Sequence, residues 1–211
     1  MNRDDIVFWN VDTQYDFVDP RGSLYVKDAQ MLIPLWEEIL AFVRANDIRL
    51  VSTKDHHFLD SEEISDTPNF VTSFPPHCIA YEDGEKSVLS MIDDHGACVV
   101  WDSVLSEEEL LGIYDSERNM VLLKDKFNFE IGNPNSKNLL SHFKEREVYV
   151  FGVAENVCVS EAAMALASNG FSVTVITDAV KGIPGLETPY DRWEALGIRK
   201  MSWSDIKKEL R

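Results

Sequence analysis

A cysteine stands where an apolar run gives way to a helical sequence. Residues 148–151 (VYVF) are typical of a strand, Gly152 interrupts it, and the residues after Ser160 (EAAMALASNG) are typical of a helix. This order predicts a strand, a tight turn and a helix with Cys158 at or near its start. The free N–H groups at a helix N-terminus favour a nucleophilic thiolate and can hold an oxyanion. The alternative is a buried cysteine that acts as a small hydrophobe.

One carboxylate and two imidazoles have a spacing that could bind a metal. Asp55 and His57 follow a predicted strand, residues 48–53, and their side chains point the same way if the chain stays extended. His77 comes after two prolines that stiffen the backbone. Such a set leaves coordination positions open and suits Zn, Fe or Mn. His56 would point away, and each histidine taken singly is equally well explained as a structural or solvated residue.

Two more reactive side chains stand at predicted strand ends. Asp12 follows residues 6–11 (IVFWNV), and Lys124 follows residues 119–123 (NMVLL). Ligands of open parallel sheets bind beyond the carboxyl ends of the strands, so Asp12 is a candidate general base. A lysine there could hold the acid in its charged form. The alternatives are a turn cap for Asp12, a solvated Lys124, and Lys126 as the lysine of the site.

Strands and helices that alternate along the chain predict an α/β fold. An amphipathic helix is predicted over 29–46, a short helix over 137–144, a strand over 171–177 and a helix around 190–196. Residues 58–73 are acidic and read as a surface loop that returns to the site at Phe74. Asp12 and Asp16, four residues apart, would share one side of a helical turn.

The composition narrows the class of protein. A chain of 211 residues suffices for one α/β domain, expected over 1–211. A formal net charge of −17 argues against nucleic acid and anionic membrane surfaces as partners. The N-terminus lacks a signal-peptide pattern, no apolar run approaches the length of a membrane span, and the three cysteines read as thiols. We therefore expect a cytoplasmic protein, whereas the charge gives no information about small-molecule substrates.

Four motifs in order resemble one known family. Residues 12–17 (DTQYDF) look like its D-x-Q-x-D-F, and residues 53–57 (TKDHH) with 74–78 (FPPHC) look like its metal site. Lys124 looks like its lysine, and residues 152–159 (GVAENVCV) look like its nucleophile loop. On these motifs the chain resembles the isochorismatase-like cysteine hydrolases, and within them the nicotinamidase/pyrazinamidase branch.

The resemblance implies a three-layer α/β/α sandwich with a central parallel sheet. It also implies the hydrolysis of nicotinamide to nicotinate and ammonia through a thioester on Cys158, with Asp12 and Lys124 as the other members of a triad. A cis peptide between Val153 and Ala154 would aim the N–H groups of Ala154 and Cys158 at the oxyanion.

The resemblance further implies a divalent metal, Zn first with Fe or Mn as alternatives, on Asp55, His57 and His77. The metal would take the pyridine nitrogen. Phe17 and Phe74 would form aromatic walls around the ring, although many members have tryptophan where Phe74 stands. Family members often assemble as dimers or larger, and an exposed, tryptophan-rich C-terminal tail is compatible with a homo-oligomer.

Two departures from the branch leave the substrate open. Residues 79–82 (IAYE) replace a usual Gly-Thr pair, and residues 127–131 (FNFEI) replace an aromatic-Ser-x-Phe pattern. The first alternative is therefore an enzyme of the same fold that acts on another small amide, carbamoyl or ureido compound. The second alternative is a non-catalytic scaffold that retains a metal or a ligand.

Overall fold

The computed structural model describes residues 5–94, 96–116 and 118–210. Within them, seven parallel strands form one sheet in the order β3-β4-β2-β1-β5-β6-β7. Their bounds are β1 Ile6–Val11, β2 Arg49–Asp55, β3 Ala97–Val99, β4 Asn119–Lys124, β5 Glu147–Val153, β6 Ser172–Lys181 and β7 Arg199–Met201. The central position of β1 follows from its sequence, because all six of its residues are apolar or uncharged and all are buried.

Helices cover both faces of this sheet. Their bounds are α1 Tyr15–Val18, α2 Ile33–Ala45, α3 Ser90–Asp94, α4 Glu107–Ser116, α5 Phe129–Gly132, α6 Ser136–His142, α7 Cys158–Ser168, α8 Tyr190–Ala195 and α9 Trp203–Glu209. Alternate residues of a strand point to opposite faces. Trp9 of β1 accordingly packs in one core with residues of α4 to α8, while Phe8 packs in a second core with residues of α2, α3 and α9. The predicted three-layer α/β/α architecture is confirmed.

Several element boundaries differ from the prediction. The first turn of the expected helix over 29–46 is a 3-10 turn, Ala29–Leu32, and α2 begins only at Ile33. The strand β5 passes through Gly152 and ends at Val153, with an irregular register against β6. The short edge strand β7 was not predicted, because three residues give no periodic signal.

The prediction of an exposed, tryptophan-rich tail is wrong. Trp193 and Trp203 are both fully buried, one in each core. The Nε1 of Trp203 donates to Glu38 Oε1 at 2.9 Å, so the indole N–H is satisfied where the ring packs. Within the described ranges, no helix combines the length and the apolar character needed to cross a bilayer.

A buried ion pair on the side of the sheet away from the strand ends gives a testable pH dependence. Arg49 Nε lies 2.7 Å from Glu145 Oε1, and Tyr114 Oη donates to Glu145 Oε2 at 2.7 Å. Burial raises the pKa of Glu145, but the bonds from Arg49 and Tyr114 outweigh it and hold the pKa below its ordinary value of 4.5. Because the folded-state pKa is the lower one, this pair stabilises fully above pH 4.5, and the stabilisation is lost as the pH falls through the folded-state pKa.

We expect Glu145→Gln to lower the free energy of unfolding at pH 7 by about 3 kcal/mol. Urea unfolding at a series of pH values should show that this difference from the wild type shrinks below pH 4.5. Glu147→Gln is the matched control, because Glu147 faces Arg199 at 3.8 Å near the surface. A deficit for Glu145→Gln that stays constant with pH would contradict the assignment.

Candidate active site

Four adjacent strands deliver the candidate residues to one edge of the sheet. The strands β4, β2, β1 and β5 are neighbours, and their carboxyl ends meet where Asp55 is in register with Lys124 and Val11 with Gly152. Asp12 follows Val11, and Val153 ends β5. This edge is where open parallel sheets bind ligands.

Asp12 is held rigidly at the end of β1. It is fully buried and has a φ of 48°, a left-handed conformation that residues with a side chain rarely adopt. Its N–H donates to Thr53 O at 3.2 Å, and the Thr53 hydroxyl donates to Asp12 Oδ1 at 2.7 Å. Its other carboxylate oxygen, Oδ2, lies 2.9 Å from Lys124 Nζ. The carboxylate therefore has one fixed orientation.

Glycine is required at position 152 because β5 passes very close to β1 there. A Cβ on Gly152 would lie 2.1 Å from Val11 O, and its φ of 124° also disfavours any other residue. This close approach brings the loop that carries Cys158 to the end of β1, beside Asp12.

Lys124 bridges the two carboxylates of the site. Its side chain is buried, and its Nζ contacts Asp12 Oδ2 and Asp55 Oδ1. Burial lowers the pKa of Lys124, but Asp12 and Asp55 outweigh it and hold the pKa well above its ordinary value. Lys126 lies instead near the surface, where it pairs with Glu62. The geometry thus brings Lys124 and not Lys126 into the site.

We expect Lys124→Met to lower the free energy of unfolding by about 3–5 kcal/mol, because two buried carboxylates would lose their counter-charge. Lys126→Met is the control and should cost at most about 1 kcal/mol, since its ion pair is exposed to solvent. Chemical denaturation of both variants without added metal measures the difference. Equal losses for the two variants would contradict a buried bridging role for Lys124.

Asp55, His57 and His77 form a cluster that could hold a metal ion. All three are buried, and their potential ligand atoms lie within 4.8 Å of one another. Asp55 Oδ2 is 3.8 Å from His57 Nε2 and 3.7 Å from His77 Nε2. Neither ring nitrogen of His57 has a hydrogen-bond partner among the described residues, although both are buried. Buried polar atoms normally have a partner, so this arrangement fits a metal ion.

Neighbouring groups fix the orientation of these ligands. His77 Nδ1 lies 2.8 Å from Pro75 O, which leaves Nε2 directed at Asp55. The Gln14 side chain holds both backbone groups of Asp55, with Nε2 donating to Asp55 O at 2.7 Å and Oε1 accepting from Asp55 N at 2.8 Å. Gln14 lies in the motif over residues 12–17, but the sequence predicted no contact between Gln14 and Asp55.

The predicted pairing of Asp12 and Asp16 on one side of a helical turn is wrong. The helix α1 starts only at Tyr15, so Asp12 lies outside it and the two residues do not share a helical turn. Asp16 Oδ2 accepts from Cys78 N at 2.7 Å and Oδ1 accepts from Ser23 N at 3.1 Å. Asp16 thus anchors the loop that carries His77, and Cys78 is packed in the core.

His56 points away from the cluster, as predicted. Its Nδ1 lies 2.6 Å from Glu85 Oε1, and its ring packs edge-on against Phe58 and Tyr81. His56 and His57 directly follow β2 and still pair with Lys124 and Ile79, and successive side chains of such an extended segment point in opposite directions.

Cys158 is the first residue of α7 and is buried beside Asp12 and Lys124. The expectation that the helix N-terminus lowers its pKa is wrong. Burial raises the pKa of the thiol well above its ordinary value, and the negative charges of Asp12 and Asp55 add to this although Lys124 opposes them. These effects favour the neutral thiol over the thiolate, and the thiolate is the nucleophilic form.

The turn before Cys158 exposes free backbone donors to the site. The peptide between Val153 and Ala154 is cis. Glu155, Val157 and Val159 donate backbone hydrogen bonds to Lys181 O, Ala154 O and Ala154 O. Among the described residues, the N–H groups of Ala154 and Cys158 have no such acceptor.

A cavity of about 650 Å³ connects these groups to solvent. Cys158, Ala154, His77 and Asp55 lie on its wall. Phe17 and Phe74 also line it, with ring centroids 5.6 Å and 6.1 Å from that of His77. All the predicted site residues are thus in or directly behind one cavity.

Glu63 is a buried residue of this cavity that sequence reasoning missed. Its position in an acidic loop indicated a surface side chain, but it is 5 % exposed and both carboxylate oxygens lie 3.1 Å from Phe127 N. Burial raises the pKa of Glu63 to about 7, with a further contribution from the charge of Asp55. No local pattern distinguishes Glu63 from the exposed acids around it.

Comparisons with known proteins agree with this geometry. Residues 106–201 match the sequence profile of the isochorismatase domain. The chain is 30% identical to a nicotinamidase/pyrazinamidase of Mycobacterium tuberculosis over 176 residues, which covers 82% of this chain and 84% of that one. It is 28% identical to a nicotinamidase of Saccharomyces cerevisiae, with 82% and 86% covered.

The fold is shared with solved structures. The pyrazinamidase of Pyrococcus horikoshii in complex with zinc superposes with a TM-score of 0.72 at 22% identity, over 94% of this chain and 99% of that one. The chain belongs to the isochorismatase-like family of hydrolases. Within this family it falls in the nicotinamidase/pyrazinamidase branch, like the two relatives above.

Proposed function

We propose that the protein is a metal-dependent amidohydrolase that cleaves nicotinamide to nicotinate and ammonia through a thioester on Cys158. The observation that carries the proposal is the grouping of Cys158, Asp12 and Lys124 beside the Asp55, His57 and His77 cluster. The names of the two relatives support the choice of substrate.

Asp12 acts as the base in the first half of the reaction. It takes the proton of the Cys158 thiol, and Lys124 stabilises the Asp12 carboxylate from 2.9 Å before the transfer. The sulfur then bonds to the carboxamide carbon while the carbonyl electron pair moves onto oxygen. The free N–H groups of Ala154 and Cys158 are the donors for this oxyanion.

Collapse of the tetrahedral species completes acyl transfer. The C–N bond breaks, and protonated Asp12 returns its proton to the leaving nitrogen, so that ammonia departs. Asp12 next takes a proton from water, the hydroxide oxygen attacks the thioester carbonyl, and the C–S bond breaks. The sulfur regains the proton from Asp12, which restores the thiol and releases the carboxylic acid as nicotinate.

A divalent metal, for which Zn is our first choice and Fe or Mn the alternatives, would be held by Asp55, His57 and His77 and would supply a Lewis-acid contact to a pyridine nitrogen. The zinc named for the Pyrococcus horikoshii structure supports this choice. Phe17 and Phe74 flank His77 on the cavity wall and would hold the aromatic ring between them.

Ammonia release from nicotinamide and from benzamide tests the proposal in metal-loaded protein. Benzamide has the same shape but no ring nitrogen. We expect kcat/KM for nicotinamide to exceed that for benzamide at least about 100-fold, since an unmade polar contact in a site built for it is costly. Equal rates would favour the alternative of a hydrolase that acts on another amide, and inactivity towards a panel of carboxamides would favour a non-catalytic scaffold.

A further inference from the structure

The cavity is larger than a single aromatic amide requires. A cavity of about 150 Å³ is enough to hold benzene. The cavity above Cys158 measures about 650 Å³, and its inner wall already provides the groups for a ring and a carboxamide. The volume beyond that needed for a ring and a carboxamide is left for a larger ligand, and we call it the outer part of the cavity.

Four of the apolar side chains that line the cavity are also exposed to solvent, and we call them the apolar rim: Phe70, Val71, Ile183 and Leu186. They are 64%, 72%, 38% and 51% exposed, respectively. A single exposed apolar residue needs no explanation, but several exposed apolar residues that line one cavity mark a site for an apolar ligand or partner.

One side of the apolar rim, Ile183 and Leu186, is hydrogen-bonded to Asn156 in the turn before Cys158. Asn156 Oδ1 accepts from Ile183 N at 2.9 Å, and Asn156 Nδ2 donates to Ile183 O at 3.0 Å. The same amide lies 3.5 Å from Leu186 O. Ile183 and Leu186 are thus held in position over the cavity.

The other side of the apolar rim has a similar anchor. Asn69 Oδ1 accepts from the backbone N–H groups of Val71, Thr72 and Ser73 at 2.8, 2.8 and 3.1 Å. Phe70 and Val71 are therefore presented by a closed turn, and both sides of the mouth are built as fixed walls. Fixed walls retain an apolar group at a lower entropic cost than mobile ones.

Charge limits which groups the outer part can take. Asp55 and the buried carboxyl group of Glu63 line the same cavity, and within its described lining no Lys or Arg is present. An anionic extension would find no basic side chain on this wall, whereas a neutral apolar extension would contact the apolar rim.

We propose that the apolar rim binds an apolar substituent on the ring of the substrate, so that the preferred substrates are alkyl- or aryl-substituted aromatic carboxamides. This inference rests on the proposed amidohydrolase function and specifies its substrate class. Burial of each methylene between the ring and the mouth should lower the free energy of the bound state, which corresponds to about a fourfold gain in kcat/KM per methylene.

The test compares nicotinamide with three nicotinamides that carry a butyl group on ring carbon 4, 5 or 6. We expect at least one butyl compound to exceed nicotinamide in kcat/KM by about tenfold or more. If nicotinamide is hydrolysed and no butyl compound exceeds it, the inference is overturned and the proposed function stands. If only a butyl compound is hydrolysed, nicotinamide is the wrong substrate and the apolar rim stands, whereas inactivity towards all four overturns both proposals.

Substitutions in the apolar rim test whether the gain in kcat/KM for the butyl compounds arises there. Val71→Asp and Leu186→Asp should each reduce the ratio of kcat/KM for the best butyl compound to that for nicotinamide by about tenfold or more, because a charged group replaces the apolar contact. Val104→Asp is the matched control, since Val104 is 79% exposed and does not line the cavity. An unchanged ratio in both apolar-rim variants overturns the inference.

A second copy of the chain is the competing occupant of the apolar rim. Sedimentation velocity of the same variants distinguishes a second copy of the chain from a substrate substituent as the occupant. We expect the wild type and both apolar-rim variants to sediment alike. If Val71→Asp and Leu186→Asp sediment as a smaller species than the wild type while the kcat/KM ratio is unchanged, the inference is overturned in favour of a subunit interface.

Discussion

Replacement of Cys158 by alanine is expected to lower kcat/KM for nicotinamide about 10⁴-fold or more, because it removes the proposed nucleophile. Cys158 is the first residue of α7, and its side chain lies in the cavity beside Asp12 and Lys124. The substitution removes only one sulfur atom, so the fold and the Asp55, His57 and His77 cluster should be unaffected.

Cys98→Ala is the matched control for this prediction. Cys98 lies on the edge strand β3, is exposed and does not line the cavity, so its loss should leave the rate unchanged. Steady-state ammonia release and metal content should be measured on the same samples. A Cys158→Ala protein that releases ammonia at the wild-type rate would contradict the proposed nucleophile.

Loss of a ligand from the Asp55, His57 and His77 cluster is expected to have the second largest effect on kcat/KM. His57→Ala should abolish stoichiometric metal binding and lower kcat/KM for nicotinamide at least about 100-fold, since even partners outside the ligand set typically contribute 10–100-fold. The physical reason is that both ring nitrogens of His57 are buried without a hydrogen-bond partner in the described structure, so a metal is the role that best explains their burial.

His56→Ala tests whether the effect belongs to the cluster or to the loss of any histidine. His56 is the adjacent residue, and it pairs with Glu85 at 2.6 Å instead of facing Asp55. It should keep both the metal and the activity. Chelation of the wild type followed by addition of Zn, Fe or Mn should abolish and restore the rate, and full activity of chelated, metal-free protein would contradict a role for the cluster.

The strands β1 and β4 could be predicted from the sequence because both are short and mostly apolar, with a charged residue, Asp12 or Lys124, at the carboxyl end. The positions of Asp12, Asp55 and Lys124 at strand ends follow directly from parallel pairing. The sequence signal was strong there because burial on both faces leaves almost no polar residue within the strand itself.

The contacts that hold the site together could not be predicted, because they join residues far apart in the chain. Asp16 reaches Cys78 across 62 positions, and Gln14 reaches Asp55 across 41. The burial of Glu63 likewise depends on the distant backbone of Phe127. Local patterns give the type of each residue but not the partner that folding brings to it.

The raised pKa of Cys158 could likewise not be predicted from the local sequence. The predicted helix start at Cys158 is present, but burial, with the negative charges of Asp12 and Asp55, raises the pKa of the thiol. Burial is a property of the whole fold, and it reverses the expectation based on the local motif. This high pKa is the reason why the proposed mechanism uses Asp12 as a base.

The central claim is that the acyl group of nicotinamide passes through the sulfur of Cys158. Mass spectrometry of protein that is acid-quenched during the first turnovers of nicotinamide tests this claim directly. We expect a fraction of the chains to carry one nicotinoyl group in place of one hydrogen, on the peptide that contains Cys158 and absent from the Cys158→Ala variant. Continuous ammonia release with Cys158 unmodified at every quench time, together with nicotinoyl transfer to another residue, would contradict the account.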